Sequence, residues 1–266
     1  MTARKPPRLL VIAGSDSGAG AGIQADIKTA SAFGVYAMTA VTVVTAQDTT
    51  GVHAAHPVPA SIVRGQIDCC LADIGADAIK VGVLGSAEIA LTVAETLERS
   101  GRGIPLVLDP VLASSSGMPF LDAQGIDILC NRLIPLATLV TPNIPEAERL
   151  TGLRLSHGHG IQAAAQRLQA LGAQAVLIKG GHGTAGMIED LLAWNDGIET
   201  FAFPRIRSSH THGTGCTLST ATACGLAQGL SLPVAVGRAR EFVQHAIATA
   251  PGFGHGNGPL NHLHGR

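Results

Sequence analysis

Between Thr211 and Leu218 the chain reads Thr-His-Gly-Thr-Gly-Cys-Thr-Leu, and a long apolar run follows. Gly213 and Gly215 allow a tight corner whose consecutive N–H groups converge on one spot. The run from Leu218 to Leu230 predicts a helix beginning there, with the positive end of its dipole at the corner. Such a corner is an anion cradle. A thiol at Cys216 sits where a helix end favours the thiolate, the form that serves as base or nucleophile. The plainer alternative is a glycine turn ahead of a buried cysteine.

Other polar residues fall at the ends of apolar runs, where ligands bind in open α/β sheets. Arg8 to Ala13 predicts a strand, Gly14 to Gly22 is a glycine-rich loop, and Ile23 to Phe33 has helical spacing. Asp26, at the start of that helix, could accept hydrogen bonds from a ligand or steady the helix dipole. Tyr36 to Gln47 predicts a buried strand ending on an amide. Its donor beside an acceptor suits a ring nitrogen next to an exocyclic amine. Asp109 closes the strand Pro105 to Leu108 and suits magnesium or its water, or the capping of a loop before Pro110. Asn143 and Glu146 follow Ala137 to Val140. They read as a capping box, or as two oxygen ligands for a magnesium-phosphate site. Lys179 opens a second glycine-rich loop after Ala175 to Ile178 and could reach a phosphate.

Elements are needed to bring these ends together. Predicted helices at Ala60 to Asp73, Glu88 to Ser100, Ile161 to Leu171 and Pro233 to Ala250 alternate with strands such as Ala78 to Val83, so the sheet should be mostly parallel. Met187 to Ala193 and Glu199 to Phe203, around Asp196-Gly197, predict a two-stranded flap. The 46% hydrophobic and 3% aromatic content demands a core of Ala, Val, Leu and Ile, as in buried parallel strands. The 266 residues hold no linker-like stretch, and one domain over 1–266 is expected.

A net charge of −1 supplies no case for nucleic acid or a membrane surface. The apolar run after residues 1–8 is too short for a signal-peptide core or a membrane span, and a cytoplasmic protein is expected. Cys69, Cys70, Cys130 and Cys224 lack a C-x-x-C pattern and read as reduced core residues. His157, His159, His255, His262 and His264 are not spaced as a zinc site.

None of Lys5, Lys28, Lys80 and Lys179 follows a glycine, which excludes a P-loop phosphotransferase. Gly20 to Ala25 fits G-x-G-x-x-A, with Asp48 downstream, so an NAD(P)-dependent oxidoreductase is one alternative. That reading leaves the corner around Cys216 without a task.

The segments Ala13 to Gly18, Ala21 to Lys28, Thr45 to Gln47, Leu108 to Val111, Thr141 to Ala147, Lys179 to His182 and His210 to Thr217 occur in one order. Together they make the chain resemble the hydroxymethylpyrimidine/phosphomethylpyrimidine kinases of thiamine biosynthesis, within the ribokinase-like superfamily. The resemblance covers nearly the whole chain and implies a three-layer α/β/α fold with a mostly parallel central sheet. It implies MgATP-dependent phosphorylation of 4-amino-5-hydroxymethyl-2-methylpyrimidine, then of the product to the diphosphate. On this pattern Gln47 reads the aminopyrimidine edge, and Asp26, Gly14, Ala21, Thr45 and Val83 line the same pocket. Lys179, Thr211, His212, Thr214 and Asn143 face ATP, while Asp109 and Glu146 organise magnesium through water. Gly213, Gly215 and Cys216 form the anion hole, with Cys216 where sugar kinases of the superfamily carry an aspartate base. A homodimer is implied. Pyridoxal kinases share the terminal loop and are the nearest alternative.

Overall fold

The computed structural model describes residues 5–114, 117–155, 158–180 and 186–264, with side chains left aside at 158 and 159. Its strands are β1 (Arg8–Asp16), β2 (Tyr36–Gln47), β3 (Val52–Pro57), β4 (Ala78–Val81), β5 (Leu106–Leu108), β6 (Leu139–Val140), β7 (Ala175–Ile178), β8 (Met187–Trp194) and β9 (Gly197–Pro204). The helices are α1 (Gly22–Ala32), α2 (Ala60–Cys69), α3 (Ala87–Ser100), α4 (Ala123–Ile128), α5 (Ile144–Thr151), α6 (Gly158–Ala170), α7 (Thr214–Ala227) and α8 (Leu232–Ala248).

One nine-stranded sheet runs in the order β3-β2-β1-β4-β5-β6-β7-β8-β9. The six strands from β2 to β7 in that order are parallel, and β3, β8 and β9 extend the edges through antiparallel pairs. The hairpin at Asp196-Gly197 forms as expected, but it is no flap: β8 pairs with β7 along four residues and joins the sheet. Period-two alternation splits β1 between two cores. Leu10 and Ile12 pack with Ile67, Ile89, Val93 and Leu133 on one face. Leu9, Val11 and Ala13 pack with Leu218, Ala221, Val236 and Val243 on the other. The result is three layers, with α1, α7 and α8 on one side and α2 to α6 on the other.

The chain direction reverses its march at β1, whose neighbours are β2 and β4, and this opens a crevice at the strands' carboxyl ends. Gly14 marks the spot. The β1–β2 register shifts between Ala13 and Ser15, and a Cβ on Gly14 would lie 2.8 Å from Val43. A bulge at this point bends β1 so that its last residues turn into the loop. β3 was not foreseen, because five of its six residues are exposed and His53 and His56 break any apolar pattern.

Candidate active site

A cavity of about 970 Å³ lies over these strand ends, and both glycine corners open into it. Gln47, Thr45, Val83, Gly14 and Ala21 line one part, and Gly213, Gly215, Cys216, Thr211, Thr214, Lys179, Asn143, Asp109 and Glu146 line another. The two corners touch. A Cβ on Gly213 would fall 1.9 Å from the carbonyl oxygen of Gly20, so the first loop and the α7 corner are stitched backbone to backbone.

The α7 corner is built as the sequence suggested. Gly213 is the N-cap residue in the left-handed region at φ 84°, with no side chain capping the helix. Thr217 N–H returns to the Gly213 carbonyl and Thr214 N–H to that of Thr211. The N–H groups of Gly215 and Cys216 have no acceptor among the described residues, and they point out of the helix end as an anion site requires.

Cys216 corrects one expectation. The helix end does not carry the thiol into its ionised form; burial pushes it up to about 11. The positive charge of Lys80 pulls it back, while Asp26 and Asp109 add to the rise.

Asp26 is a second correction. It lies at zero exposure beneath the cavity rather than in its lining, so it cannot meet a bound ring. Its carboxylate accepts from Lys80 Nζ at 2.9 Å and from Thr220 Oγ1 at 2.6 Å. His212 is a third: it faces the acceptor end instead of ATP. Its Nε2 lies 2.9 Å from Asp16 Oδ2 and 3.1 Å from Gln47 Nε2.

Asp16, given no role from sequence, organises the first loop. It accepts N–H groups from Gly18, Gly20 and Ala21. Burial pushes its carboxyl up, but His212 and the loop N–H groups outweigh this and hold it below the usual range. An acid at a strand end followed by a run of small residues was the available signal. Gln47 is set by Ser17, whose hydroxyl accepts the Gln47 N–H and donates to its carbonyl. Thr45 Oγ1 lies 3.2 Å from the amide oxygen of Gln47 and donates to the Ser15 carbonyl.

Toward the other end, Asn143 and Glu146 do form a capping box at the start of α5, each side chain accepting the other's backbone N–H at 2.8 Å. Lys179 Nζ donates to Asp109 Oδ1 at 2.9 Å, and Asp109 also receives Thr141 and Ser219. Burial lifts Glu146 to about 7, Lys179 pulls it down and Asp109 adds to the rise. Two carboxylates crowded in a desolvated corner are hard oxygen donors whose repulsion a divalent cation relieves, so this pair fits magnesium. Beyond them Ile188, Ile206, Ile247, Gln244 and the ion pair of Arg240 with Asp190, at 2.8 Å, close the cavity. Sequence reasoning gave these residues no role, since apolar spacing alone marks α8 as core.

Asp48 belongs to the turn between β2 and β3. It is exposed and accepts from Thr50 and Gly51, away from the cavity, which removes the ribose partner of the dinucleotide reading. His262 is buried against Thr217 Oγ1 at 2.9 Å. His157 and the His159 side chain lie outside the described residues, as do Gly181, His182 and Gly183 of the second glycine-rich loop.

A cradle for a moving anion, opening onto the same cavity as an acceptor pocket, defines a phosphotransferase on a ribokinase-like fold. The family model described as phosphomethylpyrimidine kinase matches residues 16–261. The chain belongs to that family and is a kinase. It is 46% identical over 257 residues to the hydroxymethylpyrimidine/phosphomethylpyrimidine kinase of Streptomyces coelicolor, covering 97% of this chain and 94% of the relative. It is likewise 46% identical to the thiamine biosynthesis bifunctional protein ThiED of Geobacter sulfurreducens, of which it spans 52%. Among solved structures, phosphomethylpyrimidine kinase from Clostridium difficile superposes with a TM-score of 0.81 at 37% identity, covering 91% of this chain and all of that one. An ADP complex of Bacillus subtilis pyridoxal kinase superposes at 0.89 with 35% identity, covering 97% and 98%.

Proposed function

We propose that this kinase phosphorylates 4-amino-5-hydroxymethyl-2-methylpyrimidine with MgATP and then phosphorylates the monophosphate to the diphosphate. The observation that carries the reading is the single cavity spanning Gln47 and Cys216. The Gln47 amide donates to a ring nitrogen and accepts from the neighbouring amine, replacing its contact with His212. Thr45, Val83, Gly14 and Ala21 wall the ring. The moving phosphoryl group lies against the Gly215 and Cys216 N–H groups, where charge stabilisation is worth most. Asn143, Thr211, Thr214 and Lys179 face the phosphates of ATP, and the apolar end with Arg240 takes its base. Asp109 and Glu146 would hold magnesium, directly or through water. The ion would neutralise phosphate oxygens.

The deciding experiment is ADP release with the pyrimidine alcohol, then with its monophosphate, against pyridoxal under the same conditions. Turnover of both pyrimidines is expected; faster turnover of pyridoxal would move the assignment to a pyridoxal kinase, which several structural neighbours are. Gln47→Leu strands polar groups of the ligand and is expected to raise the pyrimidine Kd about 10- to 100-fold by calorimetry. Unchanged binding would remove Gln47 from the pocket.

Three further parts of the reading are ours. A single domain over 1–266 agrees with the one continuous sheet. A homodimer fits β3, an exposed strand at the sheet edge, and light scattering tests it. A cytoplasmic location fits five free thiols. No described helix is long and apolar enough to cross a membrane.

A further inference from the structure

A lysine with no exposed atom lies under the catalytic corner. Lys80, on β4, is the largest side chain among the fully buried ones, and its Nζ is 2.9 Å from Asp26 Oδ2. Asp26 is one turn into α1 and Thr220 is one turn beyond Cys216 in α7, so the Asp26–Thr220 bond at 2.6 Å ties the two helices just behind their amino ends. One turn nearer the cavity, the N–H of Gly22, first residue of α1, faces the Cys216 sulfur. The helices therefore meet in two rungs: Gly22 with Cys216, and Asp26 with Thr220. Lys80 sits beside the lower rung. A Cβ on Gly82 would lie 2.9 Å from its ammonium, so the glycine leaves the space the ammonium occupies.

Apolar residues of this volume fill such a place at no desolvation cost, and a buried ion pair is weak evidence for stability alone. The charged groups facing Cys216 are Lys80 from β4, Asp26 from α1 and Asp109 after β5, with Lys179 after β7 paired to Asp109. Lys80 brings a buried cation beneath the cavity, held there by Asp26. Burial lowers its own affinity for a proton, but the charges of Asp26, Cys216 and Asp109 raise it further, and it stays cationic.

We propose that Lys80 is a positioning residue for the first phosphoryl transfer: paired with one oxygen of Asp26 while the other accepts from Thr220, it steadies the tie between α1 and α7 and lends its charge to the Cys216 sulfur when the thiol gives up its proton. The part concerning transfer rests on the pyrimidine kinase reading; the part concerning the sulfur does not.

The test follows alkylation of Cys216 by iodoacetamide against pH, resolved by peptide mass, in the whole chain. In Lys80→Met, alkylation at pH 8 should slow roughly tenfold or more, a shift of at least about one unit in the thiol. Should the lone Asp26 prevent folding, Lys80→Met with Asp26→Asn removes both charges at nearly constant volume, and a slowing in the same direction is expected because the charge of Lys80 counts for more at the sulfur than that of Asp26. First-step kcat should fall with the alkylation rate while KM for the pyrimidine holds. An unchanged alkylation profile in a folded variant overturns the proposal. A shifted profile with pyrimidine turnover absent from the parent protein would instead overturn the substrate reading and leave the sulfur assignment standing.

Discussion

Gly213→Ala is expected to cut kcat/KM for both phosphorylation steps by at least about 10²-fold while the protein still folds. Two costs fall on one atom. The residue sits at φ 84°, where an L side chain is strained by about 1–2 kcal/mol. The added methyl would also lie 1.9 Å from the Gly20 carbonyl oxygen and 2.9 Å from its carbon, both rigid backbone. The corner and the acceptor loop must part, which moves the Gly215 and Cys216 N–H groups away from the acceptor. A displacement of about 1 Å is enough to lose two orders of magnitude in a reaction that depends on alignment. Gly215→Ala is the control, because its Cβ would meet only side-chain ends, Lys179 Nζ at 3.3 Å and Asp109 Oδ2 at 3.6 Å, and no backbone. Its loss should be several-fold. Steady-state rates with circular dichroism of both variants check this, and near-native turnover of a folded Gly213→Ala protein would show that the two corners need not touch.

The same contact explains what the sequence could and could not disclose. Both glycine corners, the strand ends at Gln47 and Asp109 and the capping box at Asn143 were legible, because each is set by local backbone chemistry within a few residues. Pairings across the fold were not. Asp26 has the position of a helix-start acid, and only the arrival of Lys80 from 54 residues away turns it from a ligand contact into a buried ion pair. His212 is likewise drawn to Asp16 and Gln47 by the stitch between Gly20 and Gly213. The hairpin around Asp196 showed its turn in the sequence, while its pairing with β7 depended on an edge that local pattern does not reveal. Cys216 was misjudged for a related reason. A helix dipole acts at its end, but desolvation depends on every element packed above it.

That thiol sets the second large effect, which distinguishes the two steps by pH. With the Cys216 thiol pushed up to about 11, on the order of one site in 10⁴ holds the thiolate at pH 7. The deprotonated fraction grows about tenfold per unit below that value, so activity that needs it rises with pH. In the first step the acceptor is a neutral alcohol whose proton must leave, and kcat/KM is expected to climb with a slope near one between about pH 7 and 9. In the second step the acceptor is a phosphate, already ionised above its second pKa of about 6, and the profile should be flat over the same range. Cys216→Ala keeps the backbone N–H and removes only the sulfur. It should lower the first step by about 10²- to 10⁴-fold, the range of a positioned base, and abolish its slope while the second step stays within a few-fold. Separate assays of the alcohol and the monophosphate across pH decide the matter. A flat first-step profile, or equal losses in both steps, would leave the sulfur with no part in proton removal and return the corner to its N–H groups alone.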